Sequence, residues 1–299
     1  MILITGATGR TGSAVVRTLA QRGVPVRALV RDPERAPWLA ELTGVAVVAG
    51  DLRRRSTLGP ALEGVKRVLL ISSPGAGAVD TQISFIDAAQ AAGVPHIVKL
   101  SGREAGVGFD QDAFRGTRWH GQIERYLERS GAAWTHLRPS QFMQTYLPDS
   151  ITGVDTATQE LVMPIGDARL SPVDIADVAD IAAALLTSDG HENLAYDITG
   201  PDALTMTEIV EQISAATGSP FHYRRVTFEE QRRRYAAAGL PPDVVDLFDE
   251  QFRERRRTPV ARIELTAHRA FGVIPTSFAD FAREHAAEFA DVRPALKDA

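Results

Sequence analysis

The chain has 299 residues, 44% hydrophobic and 24% charged, ordinary proportions for a folded globular protein and too apolar for whole-chain disorder. Against 38 Asp+Glu stand 33 Lys+Arg, a formal charge of −5 that disfavours wrapping a polyanion. There is no cysteine, which excludes disulfides, thiolate nucleophiles and zinc–thiolate sites and fits a reducing cytosol.

The first element is a strand over 1–5. Its apolar run is four residues long and lacks a basic start, so it is not read as a signal peptide. No stretch reaches the roughly 18 apolar residues of a membrane span, and a cytoplasmic protein is expected. Further strands are predicted at 24–30, 45–48, 67–72, 96–100 and 134–137, alternating with helices near 11–22, 34–42, 56–62, 79–92 and 116–130. The strands are nearly continuous in Val, Ile and Leu, as parallel strands covered by helices on both faces must be. Each repeat is long enough for a right-handed crossover. The fold class is therefore α/β, a doubly wound parallel sheet of the Rossmann type.

After residue 140 the rhythm changes. Residues 141–170 look loop-rich; Pro172-Val173-Asp174 then opens a helix through 186, and a strand at 196–199 returns to the sheet. Helical patterns follow at 205–217, 228–238, 241–256 and 276–289, with a β-like piece at 221–226. The expected division is a dinucleotide-binding unit over 1–200 (core 1–140, completed by 170–200) and a smaller, mostly helical lobe over 201–299. Residues 228–258 are long enough to close a substrate pocket.

The strongest motif is Thr5-Gly6-Ala7-Thr8-Gly9-Arg10-Thr11-Gly12, with glycines spaced GxxGxxG between the first strand and the first helix. Such a turn needs no Cβ at Gly6, close backbone approach to a pyrophosphate at Gly9, and tight helix–strand packing at Gly12. The helix N-terminus then holds the phosphates. The second strand ends in Val30-Arg31-Asp32-Pro33. An arginine there matches a 2′-phosphate, whereas an acid would bind the ribose hydroxyls. Arg31 takes the decisive place, Asp32 stands one residue late, and Arg10 offers a second cation, so NADP(H) is expected over NAD(H).

TGATGRTG, ALVRDP, GDL at 50–52, LLISSP at 69–74, and HGQIERYLERSGAAWTHLRPSQF at 120–142 together resemble the NmrA-like atypical short-chain dehydrogenases, in particular their NAD(P)H:quinone oxidoreductase-like subgroup. SPVDIADVADIAAALL and YDITGPDALTMTEI extend the resemblance to about residue 218, and it thins beyond. The resemblance implies that Gly6, Ala7, Thr8, Gly9, Arg10 and Thr11 cradle the pyrophosphate, with Gly12 packing behind them. It also implies Arg31 at the 2′-phosphate, Asp51 and Leu52 beside the adenine, and Ser72, Ser73 and Pro74 near the nicotinamide-side ribose. Leu100, Ser101, Pro139, Ser140, Gln141 and Phe142 would surround nicotinamide and substrate.

The Tyr-x-x-x-Lys pair of the broader superfamily is missing: the residues four places after the five tyrosines are Ser130, Ser150, Gly200, Thr227 and Gly239. Carbonyl reduction by that pair is not expected. Quinone reduction asks less, because positioning the nicotinamide against an electron-poor ring suffices. His120 and Glu124, at i and i+4 of one helix, are the candidate proton-donating pair, the carboxylate holding the ring and raising its basicity. Phe109, Phe114, Trp119, Phe142 and Tyr146 are candidates for lining an apolar slot. Asp174 reads as a helix cap with Asp177 in the first turn. The seven histidines show no HxxxH or HExxH spacing, so no metal is expected. Arg232–Arg234 and Arg255–Arg257 read as solvated faces or intersubunit contacts. The expected partner is a small-molecule electron acceptor, with no nucleic acid or membrane, and a homodimer is the assembly considered. The alternatives are a biosynthetic tailoring reductase acting on an enone or imine, and a non-catalytic NADP-sensing regulator.

Overall fold

The computed structural model describes residues 1–73, 75, 77–102, 113–257 and 261–291. Seven strands form one parallel sheet: β1 (Ile2–Ile4), β2 (Val26–Val30), β3 (Val45–Ala49), β4 (Arg67–Leu70), β5 (His96–Leu100), β6 (Ala133–Pro139) and, out of turn, Leu194–Ile198. Two short parallel strands, β7 (Glu160–Met163) and β9 (His222–Arg225), make a second sheet, so the returning strand is β8. The large sheet runs β3-β2-β1-β4-β5-β6-β8, the doubly wound order.

The helices are α1 (Arg10–Gln21), α2 (Trp38–Glu41), α3 (Gly59–Leu62), α4 (Ala78–Ala91), α5 (Arg115–Glu128), α6 (Ile175–Thr187), α7 (Met206–Thr217), α8 (Phe228–Ala237), α9 (Pro242–Arg257), α10 (Thr266–Phe271), α11 (Phe278–Glu284) and α12 (Ala286–Ala290). Because side chains alternate across a strand, Ile4, Val98 and Leu137 face α1 and α6, while Leu3, Leu70 and Ile97 face α4 and α5. Val15, Val16 and Leu19 seat α1, and Ile123 and Leu127 seat α5. Every one of these side chains is fully buried, and each contributes about 1.5–3 kcal/mol by leaving water.

The structure departs from the sequence pattern where proline or long-range pairing decides. The predicted helix at 34–42 is a 3-10 turn, Pro33–Arg35, followed by α2; Pro37 has no N–H to continue the ladder. Residues 56–62 likewise split into a 3-10 turn, Arg55–Thr57, and α3. The 141–170 stretch contains β7, whose partner β9 lies about 60 residues on in the chain, beyond the reach of local pattern.

A third cluster packs residues from Met143 onward against α7, α9 and α11, and buries Phe278, Phe281 and Phe289. Asp174 caps α6, accepting from the Ala176 N–H at 2.9 Å. Asp177, also buried, accepts from the Thr276 N–H at 2.8 Å and hydroxyl at 2.7 Å, and meets His268 Nε2 at 3.4 Å. No helix among the described residues is long and apolar enough to cross a membrane.

Candidate functional site

The strand order reverses between β1 and β4, so their carboxyl ends open a crevice above the sheet. Thr5 closes its floor: the N–H donates to Leu69 C=O at 3.0 Å, and the hydroxyl accepts from the Ile71 N–H at 2.7 Å. The glycine loop stands over this floor. Gly6 has φ +60°, and a Cβ on Gly12 would lie 2.2 Å from the Gly6 carbonyl oxygen. Gly12 is thus the packing glycine, and no other residue fits there. Gly9, by contrast, is exposed, and a Cβ there would meet only Gly6 O at 3.4 Å. Gly9 is also the N-cap of α1 and brings no side chain to the first-turn amides, which remain as donors to an anion. Ala7 and Thr11 are buried beneath the loop and Thr8 is exposed on it. The cradle fits a pyrophosphate.

Arg31 follows β2, fully on the surface, and makes no hydrogen bond or ion pair among the described residues. Asp32 is occupied instead as the cap of the next turn, accepting from the Glu34 N–H at 3.1 Å. The ends of β2 and β3 are tied by Gly50 N–H to Val30 C=O at 2.9 Å, which puts Asp51 and Leu52 on the same rim as Arg31. Asp51 accepts from the Arg53 N–H at 3.0 Å. Arg10 does not serve as a second free cation: it donates to Gln144 C=O at 3.0 Å and pairs with Asp149 at 2.8 Å. It reaches from the loop to the 143–149 segment.

Beside the crevice lies a cleft of ≈ 320 Å³. Ser72, Leu100, Ser101 and Pro139 line it at the tops of β4, β5 and β6, with Ser140, Gln141 and Phe142 continuing the wall. Ser72 accepts from Gln82 Nε2 at 2.8 Å, and Ser73 is exposed. Across from them α9 presents Phe248, Gln251 and Arg255, which share one helix face. Phe248 and Gln251 were not singled out by sequence, and Arg255 was read only as part of a basic run, although the i, i+3, i+7 spacing of the three was there to read. Arg255 is 3% exposed, so it is no solvated surface charge. Arg115 on α5 grips Glu250 of α9 through Nε at 2.8 Å, holding this wall in place.

Three aromatic candidates fall elsewhere. Tyr146 is buried in the core edge-on to Phe278, with ring centroids 5.4 Å apart, and Trp119 is half-buried on α5 outside the cleft lining. Phe114 packs in the same core as Tyr146. Pro74 and Phe109 lie outside the described residues.

His120 lines the cleft, but Glu124 does not hold its ring. Glu124 is 1% exposed and takes a two-pronged bond from Arg138, Oε1–Nε at 3.0 Å and Oε2–Nη2 at 2.8 Å. A fork of charge-assisted bonds outcompetes a single imidazole. Burial alone would raise the Glu124 pKa, yet the Arg138 guanidinium, with His136 and Ser101, brings it down to about 2. His120 instead meets Lys99 of β5, Nζ to Nδ1 at 2.9 Å. Burial, then the Lys99 charge, pushes its pKa well below the usual imidazole value. Glu124, Glu128 and His136 also lie close enough together to suggest a metal group. Both Glu124 oxygens face the Arg138 guanidinium, however, and His136 Nε2 meets Glu128 at 3.2 Å, so the trio reads as an ion pair to Arg138 with a hydrogen-bonded histidine beside it.

Fold, cradle and cleft define a dinucleotide-binding oxidoreductase of the doubly wound class. The NmrA-like family model matches residues 1–255, and the chain belongs to that family. It is 37% identical over 289 residues to the NAD(P)H azoreductase of Xenophilus azovorans, covering 97% of this chain and 99% of that one. To quinone oxidoreductase 2 of Escherichia coli it is 31% identical over 251 residues, covering 83% and 85%. Among solved structures, the NADP(H) complex of the Citrobacter sp. triphenylmethane reductase superposes with TM-score 0.83 at 25% identity, over 96% of this chain and 100% of that one.

Proposed function

We propose that the protein is an NADPH-dependent reductase that passes hydride to a quinone or a similarly conjugated, flat small molecule. One observation carries the reading: the phosphate cradle and the apolar cleft share the carboxyl edge of one sheet, and His120 stands on the cleft wall. The relatives named for azo and quinone reduction support the acceptor class. When bound, the dinucleotide supplies hydride from its nicotinamide C4. The chain's own part is to bind, to orient and to exclude water. The glycine loop and α1 hold the pyrophosphate, Arg31 reads the 2′-phosphate, and Phe142 and Phe248 press on a planar acceptor. His120 gives the acceptor a proton. The two walls, sheet top and α9, shut out water between them.

The test is loss of the NADPH absorbance band with a panel of quinones and azo dyes. Tight NADPH binding without turnover of any of them would make the protein a cofactor sensor instead. In an active protein, His120→Ala is expected to lower kcat by roughly a hundredfold with little change in NADPH affinity. A loss under about threefold would assign the proton to water.

The cofactor preference gives a separate prediction. A charge-assisted bond to the 2′-phosphate contributes about 1.5–3 kcal/mol. Arg31→Ala is therefore expected to weaken NADPH binding roughly ten- to hundredfold and NADH binding far less. Arg10, engaged by Asp149, is not free to cushion the loss. Equal losses for both cofactors would show that Arg31 only supports the loop.

A further inference from the structure

Lys99 stands in the middle of the sheet, 0% exposed, in a strand whose other central residues are aliphatic. It points to the α5 face, the side shared by Ile97 and Ile123. Nζ donates to Leu100 C=O at 3.1 Å and meets His120 Nδ1 at 2.9 Å. Among the described residues, the charged groups around it are few. From α5 come His120 and Glu124, and from β6 come His136, its register partner, and Arg138; β4 sets aliphatic Leu70 beside it. Glu124 gives both oxygens to Arg138, so Lys99 is a buried ammonium hydrogen-bonded to an imidazole and a carbonyl. An ammonium in that setting holds its proton weakly.

The pair also fixes which ring nitrogen carries hydrogen. A charged lysine has only donors, so Nδ1 must accept, and the imidazole hydrogen sits on Nε2. The Nε2–Cδ2 edge packs over Gly102, where a Cβ would come within 2.6 Å of both atoms. Only glycine at 102 lets the ring take this place in the cleft wall.

We propose that Lys99 is the proton reservoir behind His120, supplying one proton per turnover through the imidazole to the acceptor in the cleft. The proposal rests on the reductase reading above. An acceptor that has gained hydride from the dinucleotide is left with an anionic heteroatom. The Nε2 proton of His120 passes to that atom, forming the O–H or N–H bond. Nδ1 takes a proton from Lys99 Nζ in the same relay, and the imidazole stays neutral throughout. Lys99 ends as the neutral amine with the imidazole hydrogen on Nδ1, and the relay resets in reverse: Nε2, on the cleft side, takes a proton from solvent and Nδ1 returns its proton to the buried Lys99 amine. Burial, helped by Arg138 and opposed by Glu124, brings the Lys99 pKa down to about 7, which suits release and recharging near neutrality. The Tyr–Lys pair missing from the sequence thus has a functional counterpart, a lysine acting through histidine.

The experiment has one arm that needs no turnover. The chain contains three lysines, Lys66, Lys99 and Lys297, so a spectrum of protein labelled with carbon-13 at lysine Cε holds three resonances, and Lys99→Met assigns the one that disappears. Replacing a buried charge by an apolar side chain of like volume is compatible with folding, and thermal unfolding checks it. The Lys99 midpoint is expected near 7, with His120 in the Nε2–H form by nitrogen-15 shifts. A midpoint at the ordinary alkaline value, about 10.4, overturns the proposal. The second arm is kcat against pH with NADPH and a quinone. Activity requires the charged lysine, so kcat is expected to fall as pH rises through about 7. Lys99→Met is expected to lose that limb and about ten- to hundredfold in kcat, with KM for NADPH unchanged. Lys99→Arg keeps a charge that cannot be released, and is expected to be as slow. A wild-type rate in Lys99→Arg would show that the charge only orients the ring, and the proposal falls. A wild-type protein that reduces no acceptor sinks the reductase reading and the relay with it, recognisably, because the Lys99 midpoint stays near neutral.

Discussion

Gly9→Val is expected to give a folded protein that no longer binds NADPH. The new side chain has room in the free chain, since a Cβ at 9 touches only the Gly6 carbonyl oxygen, at 3.4 Å. The room it takes is the space above the first-turn amides of α1, where backbone and pyrophosphate must meet. The contrast is Gly12, where even alanine drives a methyl to 2.2 Å from Gly6 O and the loop itself must move. The pair of variants separates binding from folding. Calorimetric titration of Gly9→Val should show no heat at NADPH concentrations that saturate the wild type, with the melting temperature kept. Undiminished affinity would remove the cradle from the account.

Arg138→Met is expected to be strongly destabilising. Removing one partner of a buried pair leaves the other charge stranded and costs about 3–5 kcal/mol. Arg138 itself is 23% exposed, so water reaches part of the gap and the lower end applies. For a chain of this size that is on the order of 10 °C in melting temperature. The effect depends on pH with a definite sign. The Glu124 pKa is lowered in the folded protein to about 2. Its stabilisation is therefore present above the unfolded carboxylate value, about 4.3, and is lost as pH falls toward 2. In the variant the stranded carboxyl takes up a proton more readily, so the gap to wild type should narrow between about pH 7 and pH 4. A loss below about 1 kcal/mol at neutral pH would mean that Glu124 finds another partner.

Much of the frame was legible because local rules decided it. A continuous apolar strand followed by glycines at fixed spacing admits few folds, and Asp174 before Ile175 is a cap by residue type alone. The end of β2 was legible too, and with it the exposed position of Arg31 just beyond Val30. The partner of His120 was not. His120 and Glu124 do share a helix face, but Arg138, on the neighbouring strand, binds the carboxylate more strongly. The lysine that replaces it lies 21 positions before His120, a distance no spacing rule spans. Its signal was present all the same. A charged residue inside a strand buried on both faces needs a reason, and Lys99 in His96-Ile97-Val98-Lys99-Leu100 had none locally. Tyr146 shows the opposite error, an aromatic next to the site in sequence that belongs to the core.

The carboxylate of Asp177 has a consequence for how the polypeptide is made. Its hydrogen bonds come from Thr276 and His268, which are synthesised about ninety residues later. The family match ends at residue 255, yet a nascent chain halted there would hold Asp177 in the α6 layer with neither donor, and α7 without Phe278, Phe281 or Phe289 to cover it. Folding during translation proceeds from the N-terminus, so the sheet can assemble early while this layer waits. The final step is the docking of 261–291, after those residues have emerged from the ribosome. A protease that clips after Arg257 would remove part of the core, and the severed protein should unravel from α6 and α7 rather than lose a dispensable tail.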